Sequence, residues 1–121
     1  YVAKQSLSVK ITLIWGNKSK ADIIAYEELS QLVKASSWLT VVHVLSEERI
    51  TDDFLKDVSN DGFFWEEGLV RGIIFEKYIT DTHRSQFFLC GPPPMQRFVL
   101  EELKRTLKIP RRRVKRELFY F

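Results

Sequence analysis

The segment that most constrains this chain is FFLCGPPPMQRFVLEEL, residues 87–103. An apolar run suited to a buried strand ends in the only cysteine, Cys90, and then passes through Gly91 and three consecutive prolines. Beyond them Met95, Phe98, Val99, Leu103 and Leu107 recur at helical spacing, with Gln96, Arg97, Glu101, Lys104 and Arg105 elsewhere on the helix. Proline removes a ladder donor, yet it is tolerated in the first turn of a helix, where the amide would have no partner anyway. The pattern therefore predicts a strand over 85–90, an abrupt turn, and a helix from Pro92 or Pro93 to about Leu107.

The rest of the chain repeats this alternation. Residues 10–15 (KITLIW) are apolar at nearly every position, which predicts a central parallel strand covered on both faces. Gly16 and Asn17 read as turn residues, and Ser19, three before Asp22, resembles a capping box with Asp in place of Glu. A helix is predicted from there, carried by Ile23, Ile24, Tyr26, Leu29, Leu32 and Val33 and closed by ASS at 35–37. WLTVVHVLS, 38–46, is β-branched and apolar, a second strand; 47–61 is polar with weak helical periodicity. Gly68 and Gly72 precede a short helical set of Ile73, Phe75, Tyr78 and Ile79, and 114–121 (VKRELFYF) reads as a last strand. Strands alternating with helices predict an α/β fold with a mostly parallel sheet and flanking helices, and 121 residues are enough for a single domain.

Composition narrows the function. No run approaches the roughly 18 apolar residues of a membrane span, so a soluble, cytoplasmic protein is expected. One cysteine permits no internal disulfide and too few thiolates for a metal centre, which favours a reducing compartment. The net charge is only +3, but KIPRRRVKR, 108–116, holds many cations and no acid. Such a run is either a solvated surface or a docking surface for an acidic partner. No aromatic platform or helix-turn-helix spacing accompanies it, so nucleic acid is not expected as a partner. The chain opens on Tyr1, without the pattern of a signal peptide, and reads as cut from something longer.

In open α/β sheets ligands bind beyond the carboxyl ends of the strands, and CGPPPM sits at such a place. LCGPPPM after an apolar strand, preceded by LIWGNKSKADIIAYEEL and followed by a helix and an aromatic C-terminus, resembles the NAD(P)-binding lobe of the ferredoxin-NADP reductase superfamily. The likeness is strongest to its NADH-cytochrome reductase, nitrate reductase and flavodoxin reductase branches, and covers nearly the whole chain. It implies an oxidoreductase in which hydride passes between NADH or NADPH and FAD, with FAD held by a separate flavin-binding lobe that then feeds a one-electron acceptor protein. The enzyme's task in such chemistry is mainly to hold two rings in contact.

Carried over residue by residue, the resemblance places Cys90 beside the nicotinamide, against the alternative of an inert buried thiol. Gly91, Pro92 and Pro93 shape the nicotinamide and diphosphate side of the groove, and Met95 is either groove wall or helix core. The adenosine end falls to Gly16, Asn17, Lys18 and Ser19, with Ser46 a further contact. Lys18 and Lys20 favour a 2′-phosphate whereas Asp22 opposes one, so NADH and NADPH stay undecided; Ser19 and Asp22 serve equally well as a helix cap alone. Phe121, or Phe119, matches the terminal aromatic that lies near the flavin in this family, against ordinary strand alternation.

Two parts of the family pattern are missing from the residues given: the first strand with its G-G-x-G-I-T-P turn, and the flavin lobe with its Arg-x-Tyr-Ser/Thr signature. The expectation is therefore an incomplete lobe, inactive alone, with the absent strand falling between the first and third strands read here and the fragment prone to dimerise. The rival reading is a non-catalytic binding module that keeps the fold and docks an acidic partner through residues 111–116.

Overall fold

The computed structural model describes residues 10–118, which divide into two compact units, one ending at Leu69 and the other beginning at Val70. In the first, β1 (Ile11–Asn17), β2 (Leu39–Leu45) and β3 (Phe64–Glu67) form a sheet in the order β1-β2-β3 with both pairs parallel. Two helices, α1 (Tyr26–Ala35) and α2 (Asp52–Asp57), complete the unit. β2 is its centre, with Val41, Val42, His43, Val44 and Leu45 all buried. Flanked on both edges and covered on both faces, its β-branched run is of the kind such a position selects.

Among the described residues β1 has a single hydrogen-bonded neighbour, β2. Ile11 and Leu13 on it are 39% and 38% exposed. β1 also extends through Gly16 and Asn17, which the sequence reading placed in a turn.

The register sets Trp15, His43 and Trp65 in one row across the three strands. His43 lies 5.9 Å from the ring of Trp15 and 4.9 Å from that of Trp65, and Phe63 meets it edge-on at 4.4 Å. Tyr26, from the first turn of α1, stacks over His43 at 6.3 Å. Helix and sheet are thus joined through an aromatic cluster, each pair of which contributes about 0.5 to 1.5 kcal/mol beyond its buried area. The Tyr26 hydroxyl donates to the Asp61 carboxylate, and the Ser30 hydroxyl donates to the Asp61 carbonyl at 2.8 Å, tying the turn before β3 to the helix.

α1 starts later than the spacing predicts. The Ser19–Asp22 cap opens only a single 3₁₀ turn (Lys20–Asp22); Ala25 then adopts a left-handed conformation with φ of 56°, and the helix begins at Tyr26. Ile24 consequently faces solvent at 75% exposure, although its spacing matches an inner position.

The second unit contains α3 (Gly72–Tyr78), β4 (Phe87–Gly91), α4 (Pro93–Leu107) and β5 (Val114–Leu118), with β4 and β5 parallel. All strand pairs among the described residues are therefore parallel, and the chain has the α/β architecture that its alternating pattern predicts. β1 and β4, the strands between which the family resemblance placed an absent one, each have one hydrogen-bonded neighbour among the described residues. Ile74, Phe75, Val99, Leu103, Ile109 and Val114 make the core of this unit.

α4 begins within the proline run as predicted, but its inner face differs from the apolar pattern. Gln96 and Glu102 are buried, 1% and 6% exposed, whereas Met95 and Phe98 are 36% and 41% exposed. Each buried polar group has a backbone partner that explains its place. The Gln96 amide donates to the Gly91 carbonyl at 2.9 Å and to the Glu117 carbonyl, fastening the end of β4 to β5. Glu102 accepts the Gly72 amide at 3.0 Å, satisfying a donor that the first turn of α3 cannot, and Arg105 bonds its other oxygen. The Gly72 bond foremost, with Arg105 assisting, holds this carboxyl below the usual carboxylate range. Gly72 is required by closeness: a Cβ there would come within 2.1 Å of Thr106 Cγ2.

The basic run is partly engaged within the unit. The Arg113 guanidinium donates to the carbonyls of Thr82 and Ser85, while Arg111, Arg112, Lys115 and Arg116 are exposed.

Candidate functional site

In the first unit, the carboxyl ends of β1 and β2 open onto a cleft of about 720 Å³ lined by Ser19, Lys20, Ala21, Ile23, Tyr26, Glu47 and Glu48. This is the place where parallel sheets carry ligands, since the strand ends there present backbone not consumed by the ladder. The two loops that border it are laced together: the Ser46 amide donates to the Asn17 carbonyl at 3.0 Å, and the Glu47 amide to the Lys18 carbonyl at 2.8 Å. Gly16, Asn17, Lys18, Ser19 and Ser46 are thereby brought to one end of the sheet, though of these only Ser19 lines the cleft. Ser46 and Lys18 are exposed, and the Asn17 side-chain nitrogen is buried without a protein partner.

Ser19 and Asp22 do cap one another. The Ser19 amide and hydroxyl both donate to one Asp22 oxygen, at 3.2 and 3.0 Å. The Lys20 amide is satisfied from the other loop by Glu48 Oε1 at 2.7 Å. The Lys20 ammonium lies 4.8 Å from the centre of the Tyr26 ring, held by the ring's negative face. Burial, and then the bond to Asp61, raises the Tyr26 phenol above its ordinary range, so it stays protonated and donating.

In the second unit, the turn from β4 into α4 contains the other predicted residues. Gly91 is buried with φ of 147°, a conformation that side chains rarely permit, and a Cβ on it would lie 2.1 Å from Met95 Cε. Met95 therefore lies across the glycine; it is neither a buried core residue nor directed away from the turn. Pro92 extends the backbone at φ of −65° and ψ of 153° and Pro93 opens the helix. Cys90 is exposed. Phe119 and Phe121 lie outside the described residues.

Sequence reasoning misses Glu47 and Glu48, which sit in a stretch that reads only as polar, and Tyr26, whose spacing matches helix core. It also misses Gln96 as the clamp on Gly91 and Glu117. For the glutamates a signal was available, because they directly follow a strand end, where α/β folds place ligand contacts. No such signal existed for Gln96, whose partners are carbonyls fixed only by the fold.

Among the described residues there is no group of His, Cys, Asp or Glu able to hold a metal ion, and no helix long and apolar enough to cross a membrane. A parallel α/β chain with a cleft at its strand ends has the architecture in which ligands are bound beyond the carboxyl ends of strands. The family model described as "Oxidoreductase NAD-binding domain" matches residues 1–101, and the chain belongs to that family, within the ferredoxin-NADP reductase superfamily. It is 31% identical over 88 residues to NADH-cytochrome b5 reductase 2 of Mycosarcoma maydis, a match covering 70% of this chain and 22% of that reductase. The chain is thus an NAD-binding oxidoreductase domain that corresponds to a minor part of its relative's length.

Proposed function

We propose that this chain is the pyridine-nucleotide lobe of a flavin-dependent oxidoreductase, a single NAD-binding domain whose FAD-binding lobe lies in sequence outside these residues. The observation that carries the reading is the β4–α4 turn: Gly91 holds a positive φ that side chains rarely adopt, Met95 packs across it, and the turn is fastened by prolines and by Gln96. NADH, when bound, supplies the hydride that FAD accepts. The residues of the chain bind and orient. In the first unit, Tyr26 gives the cleft an aromatic wall, while Ser19 and Glu48 border it with polar groups. In the second, Gly91 lets the backbone take a turn with Met95 lying across it, Pro92 and Pro93 stiffen that turn, and Cys90 presents a small exposed thiol one residue before the strand ends. Roles for Gly16, Asn17, Lys18, Asp22 and Ser46 are to shape the loops, and for Phe119 and Phe121 to face the flavin.

An acidic one-electron carrier protein is the proposed acceptor, received by the exposed Arg111, Arg112, Lys115 and Arg116. A lone, exposed Cys90 suits the reducing environment of the cytoplasm. The test is titration with NADH, monitored by quenching of tryptophan emission, alongside a Gly91→Val variant. Saturable binding by the parent and its loss in the variant are expected; equal binding by both would remove the turn from the site.

A further inference from the structure

We propose that the bond between Asp61 and Gly62 is a site of isoaspartate formation, and that Tyr26 and Ser30 of α1 keep it closed in the folded chain. An aspartate followed by glycine is the pair most open to this chemistry, because no Cβ on the second residue shields its amide nitrogen. The Gly62 nitrogen attacks Asp61 Cγ. An N–C bond forms, the Cγ–OH bond of the neutral carboxyl breaks, and the hydroxyl leaves as water together with the amide proton, giving a five-membered succinimide. Water then adds back. Addition at Cγ restores aspartate; addition at the main-chain carbonyl carbon of residue 61 breaks that carbon's bond to nitrogen. The chain then runs through the β-carboxyl, one methylene longer, and carries a free α-carboxylate. No oxidant, metal or cofactor is consumed.

Both reacting groups are present, and one is restrained. Gly62 is exposed, and among the described residues no hydrogen bond engages its amide. Its φ of 79° lies in the left-handed region that glycine favours, and a Cβ there would press on Val33 Cγ1 at 3.2 Å, so the fold itself calls for glycine after Asp61. The Asp61 side chain, by contrast, is turned to α1. Its carboxylate accepts the Tyr26 hydroxyl, and its carbonyl accepts the hydroxyl of Ser30 at 2.8 Å, a residue only 1% exposed. The Asp61 amide donates to the Val58 carbonyl at 3.1 Å. Because the Tyr26 phenol stays protonated, its hold on the carboxylate persists. Attack requires that carboxyl to leave the phenol and swing to the next amide, and a hydrogen bond to a charged group slows such a departure by about tenfold or more. The stakes lie one residue further on. Phe63 meets His43 edge-on at 4.4 Å, and Trp65 pairs with His43 across the β2–β3 ladder. An added backbone atom before them shifts both rings against β2 and frees Tyr26, which walls the cleft.

The proposal is independent of the nucleotide reading, and so is its test. The full-length polypeptide and its Tyr26→Phe variant are incubated under native conditions, and the linkage at each aspartate is read by peptide mapping with mass spectrometry. Slow conversion at Asp61 in the parent is expected, with conversion about tenfold or more faster in the variant. Ser30→Ala, which leaves the carboxylate bond in place, should accelerate it by less. In urea the parent and Tyr26→Phe should convert at one common rate, faster than the folded parent, because the restraint exists only in the fold. If Tyr26→Phe does not fold, the ratio of the parent's unfolded and folded rates carries the test. Asp61→Glu, which could close only a six-membered ring, should stay unmodified. Equal rates in the folded parent and the folded variant, or a folded parent that converts as fast as the unfolded chain, overturn the protective role. Conversion at Asn60 rather than Asp61 overturns the site.

Discussion

Acidification should destabilise the first unit through His43. Its imidazole is fully buried in the aromatic row, and neither ring nitrogen has a hydrogen-bond partner. Burial pushes its pKa down to about 4 from the ordinary 6.5, so the folded chain holds the ring neutral. The sign follows directly: the unfolded chain binds a proton below pH 6.5 that the folded chain refuses until about pH 4, so stability falls as pH drops through that window. Above pH 6.5 the term is absent, and below about 4 it levels off. Between pH 7.5 and pH 5 linkage gives a loss of about 2 kcal/mol from this group, rising to about 3 kcal/mol near pH 4. Urea unfolding followed by tryptophan emission measures it cleanly, because Trp15, Trp38 and Trp65 all lie in the first unit. His43→Leu removes the titration and the two orphaned nitrogens together, so the variant should be more stable by about 1 to 2 kcal/mol at neutral pH. Its stability should also be nearly flat between pH 7.5 and pH 5. A variant with the parent's slope across that range would refute the reasoning.

Three further outcomes follow from the second unit. Gly91→Ala should cost about 1 to 3 kcal/mol, and adding Met95→Ala should recover only the part due to collision, leaving the strained φ; thermal melts of the single and double variants check this. Gly72→Ala should cost about 1 to 3 kcal/mol through its clash with Thr106 Cγ2, and Thr106→Ser, which deletes that methyl, should restore most of it in a double-mutant cycle. Gln96→Leu should cost about 1 to 3 kcal/mol and accelerate amide exchange near the ends of β4 and β5, because two carbonyls lose their shared donor.

The sequence shows the α/β alternation clearly, because strand and helix periods differ and the proline run marks one junction without ambiguity. β3 escaped notice because FFWEE is too short for alternation to register, although Gly62 and Gly68 bracket it. Of the candidate site, the Cys90–Pro93 turn was legible from its unusual composition. The cleft was less so: Glu48 acts through a bond to Lys20 in a different loop, and only the parallel register of β1 and β2 brings those loops together. Gln96 and Glu102 look like surface residues of an amphipathic helix until the amide and carbonyl groups they satisfy are in view.

The exclusively parallel pairing bears on how the chain comes to be folded. Ile11 meets Leu39, Val42 meets Phe64 and Phe87 meets Val114, each across an entire crossover. No hairpin exists among these pairs to seed either sheet, so neither ladder begins until a long loop has been closed at an entropic cost. Helices α1 and α4 are the longest local elements available, and each lies within the crossover of a parallel pair, so forming it shortens the loop that the pair must close.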